Sequence, residues 1–237
     1  MMKREELYFK RIYAGRVDVF FEPPFFKIIH LDRYLWASAH LSDSALILDL
    51  GCGTGYGAPL IRRRTRGLII LADISADALQ YGKKFYPVKN CERVVCDALH
   101  LPFRDEVFDG CLMLEVIEHL LQPEKALEEA NRILKRSGVF IITTPNADNF
   151  SYRIYRYFGK PIKVGKHHVK EFGYDEFKFI LKKAGFKIVE EMGQLFYFPG
   201  AFKVAFKFPR LARLLIKTGR RFPKYSLHQC YVCEKIK

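Results

Sequence analysis

Three closely spaced glycines after a short apolar run are the strongest candidate for a ligand-binding loop in this 237-residue chain. Gly51, Gly53 and Gly55 directly follow the apolar run at residues 46–50. Glycine lets a backbone turn sharply and lets a ligand approach closely, because it carries no Cβ atom. A dinucleotide-binding loop would need its third glycine at position 56, which is Tyr56, and the Gly-Lys-Ser/Thr of a P-loop is absent. The loop therefore disfavours NAD and the phosphates of ATP, while three glycines in five residues disfavour an ordinary tight turn.

Two acidic residues follow later apolar runs and suit the recognition of an adenosyl group. Asp73 ends the second run, 22 residues after Gly51, where a carboxylate can accept hydrogen bonds from a ribose diol. Asp97 follows the third run, where an acceptor can meet an adenine amino group. Either acid alone could simply cap a helix, and Asp73 stands just before Ser75. Together with the glycine loop, the two acids mark the carboxyl ends of successive strands, where open α/β sheets bind their ligands.

The elements that must position these residues alternate between strand and helix, because short apolar runs typical of doubly covered strands are separated by helical periodicities. Ser75 is a candidate N-cap for a helix that reaches Tyr86. Pro123 suits the first turn of the next helix, and Asp175 is a candidate cap for a helix over residues 176–184. Repeated units of this kind predict an α/β fold, doubly wound around a mostly parallel sheet. The predicted strands cover residues 46–50, 68–72, 93–96, 108–114, 139–144, 186–191 and 227–236.

Five segments stand in an order and at a spacing that identify a family. Residues 47–55, 72–75, 96–98, 108–109 and 114–119 read Ile-Leu-Asp-Leu-Gly-Cys-Gly-Thr-Gly, Ala-Asp-Ile-Ser, Cys-Asp-Ala, Phe-Asp and Leu-Glu-Val-Ile-Glu-His. In this order they resemble the successive motifs of the class I S-adenosylmethionine-dependent methyltransferases, in particular the ubiquinone-pathway O-methyltransferase-like group. The resemblance covers roughly residues 42–192 and a last strand near 227–236. It implies a seven-stranded, Rossmann-like sheet whose last strand is antiparallel, and it implies S-adenosyl-L-methionine as the cofactor.

The resemblance also implies which residues contact the cofactor and how the chain is divided. An N-terminal segment often covers the cofactor in this family, so residues 1–41 are expected to form a helical lid and Tyr13 is a candidate contact. Residues 42–237 would form the methyltransferase domain, with a basic amphipathic insertion at about 197–225. The other expected contacts are Asp49, Gly51, Cys52, Gly53 and Gly55 with the methionine part, Asp73 and Ile74 with the ribose, Asp97 and Ala98 with the adenine, and Leu114 and Glu115 closing the pocket.

Glu115, Glu118 and His119 are the candidates for chemistry on the methyl acceptor. If the chain is helical there, their spacing places all three on one face. Glu115 and His119 are the candidate catalytic residues, because an acceptor that is protonated at neutral pH needs a general base. With His167, the group resembles the metal-binding element of small-RNA 3′-terminal ribose methyltransferases, and carboxylate and imidazole ligands suit a divalent metal. Two alternatives stay open: a metal held by Glu115, Glu118, His119 and His167, or a His119 that shapes the acceptor pocket without metal.

The net positive charge of the chain is confined to its last third. Residues 1–150 hold 20 Lys+Arg and 20 Asp+Glu, whereas residues 151–237 hold 20 and 6, which accounts for the whole net charge of +14. No acidic residue stands between Glu191 and Glu234. This asymmetry indicates that the last third meets something anionic, whereas the first part needs no such partner.

A basic amphipathic pattern lies within residues 199–225. Along a helix, Arg210, Arg213 and Lys217 share one face, and Leu211, Leu214 and Leu215 lie on another. Three interpretations are open. The segment could be a helical cover for the acceptor pocket with a solvated basic face. It could instead contact an anionic membrane surface, or the phosphates and bases of a nucleic acid.

Composition excludes several classes of protein. Nearly half of the residues are apolar, and 21 Phe and 13 Tyr supply bulk for a core, so the chain is not disordered overall. No stretch approaches 18 apolar residues, so we expect no transmembrane segment. The N-terminal residues include no apolar signal region, so we expect a cytoplasmic protein, peripheral at the membrane if its basic segment binds there. Six cysteines are too few for a disulfide scaffold.

The leading hypothesis is a methyltransferase that acts on an oxygen or another heteroatom of a small or lipid-linked acceptor. A metal-assisted RNA ribose 2′-O-methyltransferase is the alternative enzyme. An alternative of another class is a non-catalytic module that binds S-adenosylmethionine and recruits a partner through its basic tail. Intact cofactor motifs disfavour this last hypothesis, because a site that has lost its function tends to lose its glycines or the acidic residue at the position of Asp73.

Overall fold

The computed structural model describes residues 24–162, 165, 167–198 and 208–236, except for the side chains of Pro24, Pro209 and Ala212. Strands and helices alternate along these residues as predicted. The strands are β1 (Ile47–Leu50), β2 (Ile69–Asp73), β3 (Cys91–Val95), β4 (Phe108–Leu114), β5 (Leu134–Pro145), β6 (Phe186–Gln194) and β7 (His228–Lys235). The helices are α1 (Pro24–Ser38), α2 (Ala58–Arg62), α3 (Ala76–Phe85), α4 (Pro123–Ile133), α5 (Phe150–Tyr157), α6 (Tyr174–Lys183) and α7 (Pro209–Arg221), with short 3-10 helices at Ile117–His119 and Pro223–Tyr225.

The seven strands form one sheet in the order β3-β2-β1-β4-β5-β7-β6. The pairs among β1 to β5 are parallel, whereas β7 lies antiparallel between β5 and β6. The predicted doubly wound sheet with an antiparallel last strand is thus confirmed. The strand order reverses at β1, so the loops after β1, β2 and β4 meet at one edge of the sheet, at the switch point where such sheets bind ligands.

The sheet is covered on both faces, which explains the continuous apolar runs. Side chains of successive strand residues point to opposite faces. Leu48 and Leu50 pack into one buried layer with α4 and α6, and Ile47 packs into the other layer with α1, α2 and α3. A third cluster joins α1 to α7 through buried side chains: Phe25, Ile29, Leu195, Leu215 and Ile216.

A local capping signal sets the start of α3, but not that of α6. The Ser75 side chain accepts a hydrogen bond from the Ala78 amide at 3.2 Å, so α3 begins where it was predicted. The prediction for Asp175 is wrong, because α6 begins at Tyr174 and Gly173 occupies the N-cap. The carboxylate of Asp148 accepts the Tyr174 amide at 2.9 Å instead. Asp175 therefore lies in the first turn of the helix.

The described part of the expected N-terminal lid is helix α1, and Tyr13 lies outside the described residues. Within residues 197–225, the part from 208 onward forms α7 and a 3-10 helix, and the buried side of α7 packs beside α1. None of the helices in the described part of the chain has the length and apolar character that a membrane crossing requires.

Candidate active site

The glycine loop turns back under the end of β2 through left-handed backbone conformations. Gly51, Gly53 and Gly55 have φ angles of 72°, 58° and 73°, a region that residues with a Cβ atom rarely adopt. A Cβ atom on Gly51 would lie 2.4 Å from a methyl carbon of Val116, so this position is closed to larger residues. The Gly51 amide donates to the Ala72 carbonyl at 2.8 Å and holds the loop at the edge of the sheet.

Asp73 connects the glycine loop with the turn after β2. Its buried carboxylate accepts the Gly53 amide at 2.8 Å and the Ser75 amide at 2.9 Å. These two bonds fix the carboxylate at the carboxyl end of β2, where a carboxylate can accept hydrogen bonds from a ribose diol. The adjoining Ile74 side chain is 66% exposed, which leaves an apolar surface open beside this carboxylate.

Asp49 is a buried carboxylate held by an aromatic side chain of α1. The Tyr34 hydroxyl donates to its Oδ2 at 3.0 Å. Burial raises the pKa of Asp49 to about 7, the Tyr34 hydrogen bond opposes the shift, and the nearby Asp73 adds to it. The carboxylate would be stabilised by a cationic ligand placed beside it, because an opposite charge favours the ionised form.

The remaining predicted cofactor contacts lie around the same edge. The Asp97 carboxylate accepts the Leu99 amide at 2.9 Å, and Ala98 beside it is half-buried. Cys52 is buried in the loop, where burial raises its thiol pKa and keeps the thiol protonated. Leu114 is buried at the end of β4.

Glu115 does not share a helical face with Glu118 and His119, so that prediction is wrong. Its φ angle is 58°, and the following 3-10 helix begins only at Ile117. A non-glycine residue in this conformation is strained, and such strain is frequent at functional sites. The turn therefore directs the Glu115 side chain away from those of Glu118 and His119.

Glu115 instead joins a buried ionic group. Its carboxylate accepts the Thr143 hydroxyl at 2.8 Å and lies 3.4 Å from Arg33 of α1 and 3.2 Å from Nε2 of His228. Burial by itself would raise the pKa of Glu115, but Arg33, His228 and Thr143 outweigh it and lower the pKa. Glu115 is therefore ionised at neutral pH and is already engaged by its partners.

Two histidines beside this group are held neutral. Burial lowers the pKa of His228 to about 4 and that of His30 to about 3, and the charge of Arg33 contributes to both shifts. The Nδ1 atom of His228 and the Nε atom of Arg33 are buried without a hydrogen-bond partner in the described structure. Arg33, His228 and Tyr34 were not predicted as site residues, because no local motif singles them out.

Glu118 and His119 form a second polar group. Glu118 is buried, and its carboxyl oxygen Oε2 lies 3.1 Å from the Thr144 hydroxyl. Burial, reinforced by the charge of Glu115, raises the pKa of Glu118 well above its usual value. Burial lowers the pKa of His119, so its imidazole is neutral.

The hydrogen bond at Nδ1 determines the tautomer of His119. This atom lies 2.9 Å from the backbone carbonyl oxygen of His167. A carbonyl only accepts hydrogen bonds, so Nδ1 carries the proton and Nε2 bears a lone pair. His119 thus has the protonation state that a general base requires.

A three-residue group in the described structure has the donors for a metal ion, but it differs from the predicted set. One ligand atom each of Glu118, His119 and His168 lies within 4.8 Å of the others. The exposed His167 supplies its carbonyl, while the His168 ring meets the His119 ring at 5.1 Å. Glu115 is held by Arg33 and His228. One carboxylate and two imidazoles suit Zn²⁺ or Mn²⁺, and Glu171 contacts His168 Nδ1 at 2.7 Å as an outer partner.

Comparison with known families gives matches in the same part of the chain. Residues 48–142 match the family model described as "Methyltransferase domain". A probable S-adenosylmethionine-dependent methyltransferase of Mycobacterium tuberculosis is 33% identical over 153 residues, which are 65% of this chain and 52% of that protein. The ubiquinone/menaquinone biosynthesis C-methyltransferase of Xylella fastidiosa is 36% identical over 112 residues, which are 45% of this chain and 44% of that protein. The chain thus spans about half the length of these curated relatives.

A solved structure shows the same fold. A chain from a Haloferax volcanii complex that contains the Trm112 methyltransferase activator superposes with a TM-score of 0.67 at 20% identity. The superposition covers 89% of this chain and 91% of that chain, so it includes most of the sheet and the helices around it.

Proposed function

Because the chain belongs to the class I S-adenosylmethionine-dependent methyltransferases, we propose that it transfers a methyl group to an oxygen or another heteroatom of a small or lipid-linked acceptor. The observation that carries the proposal is the cradle formed by the glycine loop, Asp49 and Asp73. It combines a closely approachable backbone with two buried carboxylates at the carboxyl edge of adjacent strands. The match covers only about half of the curated relative, so the activity of the whole protein is part of this proposal.

The residues of this cradle fit S-adenosylmethionine. Gly51 has no Cβ atom, so the loop can make its tight turn against the side chain of Val116. Asp49 would face the positively charged methionine part, and Asp73 would accept hydrogen bonds from the ribose diol. Asp97 and Ala98 would lie beside the adenine. When bound, the cofactor supplies a methyl group that is already electrophilic, so the protein needs mainly to orient the acceptor and exclude water.

His119 is proposed to take the proton of the acceptor. Its Nδ1–H is fixed by the His167 carbonyl, and the neutral ring leaves Nε2 as the basic atom. Ionised Glu115 is proposed to position α1 over the cofactor through Arg33. General bases typically contribute about a hundred- to ten-thousandfold to a rate. A hydroxyl acceptor would benefit from this base, because it is protonated at neutral pH.

The decisive experiment is a screen of candidate acceptors with methyl-labelled S-adenosylmethionine. In an active reaction, His119→Gln should lower kcat at least about a hundredfold without changing cofactor affinity measured by calorimetry. His40→Gln is the matched control, since the His40 ring also places Nδ1 on a backbone carbonyl, at 3.0 Å, but contacts Glu190. Equal activity of both variants would reject His119 as the base. Cofactor binding without transfer to any acceptor would favour the non-catalytic module.

The position of the new methyl group decides between heteroatom and carbon acceptors. The similarity to the Xylella fastidiosa protein raises carbon methylation of a quinone precursor as an outcome. Mass spectrometry of the labelled product would locate the methyl group. A C-methylated product would overturn the heteroatom part of the proposal while leaving the methyltransferase part intact.

A metal-assisted ribose 2′-O-methyltransferase is the second candidate, and the grouping of Glu118, His119 and His168 favours it. These residues would hold a divalent ion, which would lower the pKa of a coordinated hydroxyl. EDTA and Glu118→Gln should then both abolish activity, and added Mn²⁺ should restore only the EDTA-treated protein. Activity that survives both treatments would reject the metal.

For a lipid-linked acceptor, transfer would take place at a membrane surface. The basic residues 199–225 would then contact the anionic membrane surface. Of these, residues 199–207 lie outside the described structure. The protein would then bind the membrane peripherally, and nucleic acid would not be its partner.

A further inference from the structure

Helix α7 has an exposed cationic face that the fold does not require. Arg210, Arg213, Leu214, Lys217 and Arg221 recur at helical spacing, and all five side chains are exposed. The opposite face packs into the protein through buried Leu215 and Ile216. Packing against the rest of the protein accounts for the apolar residues on the buried side of α7. It does not account for the four cations on the exposed side.

The charges of this face are uncompensated within the described structure. Other basic residues of the segment have acidic partners: Arg220 contacts Asp32 at 2.7 Å, and Lys224 contacts Asp175 at 3.0 Å. In contrast, the described residues supply no ion pair to the cations at positions 210, 213, 217 and 221. Such a surface attracts an extended anionic partner.

One apolar side chain is placed among these cations, and two more flank the helix. Leu214 lies in the middle of the face and is 58% exposed. Phe208 and Phe222, at the two ends of α7, are 58% and 48% exposed. An exposed leucine between cations gains nothing from phosphates alone, but it gains from burial in the headgroup and acyl boundary of a lipid layer. The combination therefore favours an anionic membrane over a nucleic acid.

The same helix ends beside the acceptor side of the candidate site. The Asn146 side chain donates to the carbonyls of Lys224 and Ser226 at 3.0 and 3.1 Å, which fastens the segment after α7 to the end of β5. Two residues earlier, Thr144 contacts Glu118. The segment after α7 and the proposed catalytic group are therefore attached to the same strand end.

We propose that the exposed face of α7 docks on anionic phospholipid and brings the acceptor side of the protein to the membrane. The four cations contact lipid phosphates, and Leu214, Phe208 and Phe222 enter the apolar boundary. Docking itself is independent of methyl transfer. The inference that it serves a lipid-linked acceptor rests on the proposed function.

Sedimentation with vesicles tests the docking surface. The full chain should bind vesicles of phosphatidylcholine mixed with phosphatidylglycerol, but not phosphatidylcholine alone. Each cation near an anionic surface strengthens binding about fivefold, so replacing all four by Gln should weaken it on the order of several hundredfold. The matched control replaces exposed cations of α3 and α6 by Gln and changes the net charge equally: Lys83, Lys84, Lys182 and Lys183.

Leu214→Gln distinguishes lipid from nucleic acid, because it removes apolar contact without changing charge. It should weaken vesicle binding several-fold and leave binding to a double-stranded RNA probe unchanged. Equal vesicle binding by the α7 variant and the control variant would overturn the proposal. RNA binding tighter than vesicle binding, with vesicle binding insensitive to Leu214→Gln, would also overturn it in favour of nucleic acid.

A failure of docking can be separated from a failure of the proposed function. Methyl transfer to a soluble acceptor should be the same in the α7 variant and the wild type, because none of the substituted residues belongs to the cofactor cradle. Vesicle binding without any transfer would leave the docking proposal standing and reject the enzymatic one. Methyl transfer without vesicle binding would reject the docking proposal and leave the enzymatic one standing.

Discussion

Replacing Gly51 by alanine tests the structural basis of the glycine loop. Gly51 has a φ angle of 72°, and an added Cβ would lie 2.4 Å from Cγ2 and 3.0 Å from Cγ1 of Val116. The substitution therefore combines a backbone cost with a steric cost. The steric cost can be measured apart from the backbone cost, because the nearest atoms are the two methyl groups of Val116 and a second substitution can remove them.

Each cost has an expected magnitude. A left-handed conformation costs an L-residue about 1–2 kcal/mol relative to glycine. Overpacking a closed site typically costs about 1–3 kcal/mol more. Gly51→Ala should therefore lower the free energy of unfolding by about 2–5 kcal/mol. Gly159 is the matched control, since its φ angle is 61° and a Cβ there would meet nothing within 4 Å, so Gly159→Ala should show the backbone cost alone.

Urea unfolding of the single variants and of Gly51→Ala combined with Val116→Ala measures these terms. In the Val116→Ala background, Gly51→Ala should cost about as much as Gly159→Ala, because the two clashing methyl groups are gone. Calorimetry should show weaker S-adenosylmethionine binding for Gly51→Ala, because the loop must shift to relieve the clash. Equal losses for Gly51→Ala and Gly159→Ala, or no relief by Val116→Ala, would refute the steric reasoning.

Three further predictions concern the buried charges. Asp73→Asn should weaken cofactor binding about ten- to a hundredfold in calorimetry, since a hydrogen bond to a charged group contributes about 1.5–3 kcal/mol; unchanged affinity would contradict the assigned ribose contact. Asp49 has a raised pKa, so between pH 3.8 and about 7 the folded protein retains a proton that the unfolded chain has already lost, and stability should fall as the pH rises through this window. Unfolding measured across this range should show less of that fall in Asp49→Asn. The lowered pKa of Glu115 acts oppositely: its stabilisation is present above the unfolded pKa of 4.5 and is lost as the pH falls through the folded value. Arg33→Met should remove this stabilisation and cost about 3–5 kcal/mol at neutral pH, because it leaves a buried charge without its partner; a stability loss below 1 kcal/mol in urea unfolding at neutral pH, about the value of an exposed ion pair, would contradict this.

Local sequence patterns were sufficient to predict the strands and the starts of α3 and α4. Apolar runs report burial on both faces of the sheet, and Ser75 caps α3 through a bond to an amide three residues away. The start of α6 could not be predicted in this way. Its first amide bonds to Asp148, 26 residues earlier in the chain, and that distance is closed only by the fold.

The convergence of the glycine loop, Asp73 and Asp97 at one edge of the sheet was predictable for the same reason, because motifs on successive strand ends converge at one edge of any parallel sheet. The surroundings of Glu115 and His119 were not predictable, because they depend on turns and distant contacts. The left-handed turn at Glu115 directs its carboxylate to Arg33 and His228, and the His167 carbonyl bond leaves the ring of His168 beside His119.

The sequence by itself determined the sheet, the glycine loop and the confinement of the net positive charge to the last third, because these depend on residue type and local periodicity. Tertiary structure alone decided which charges are neutralised. It paired Glu115 with Arg33 and left the cations at one face of α7 without acidic partners in the described structure. The physical reason is that a pKa or an ion pair depends on burial and on distances between groups far apart in the chain.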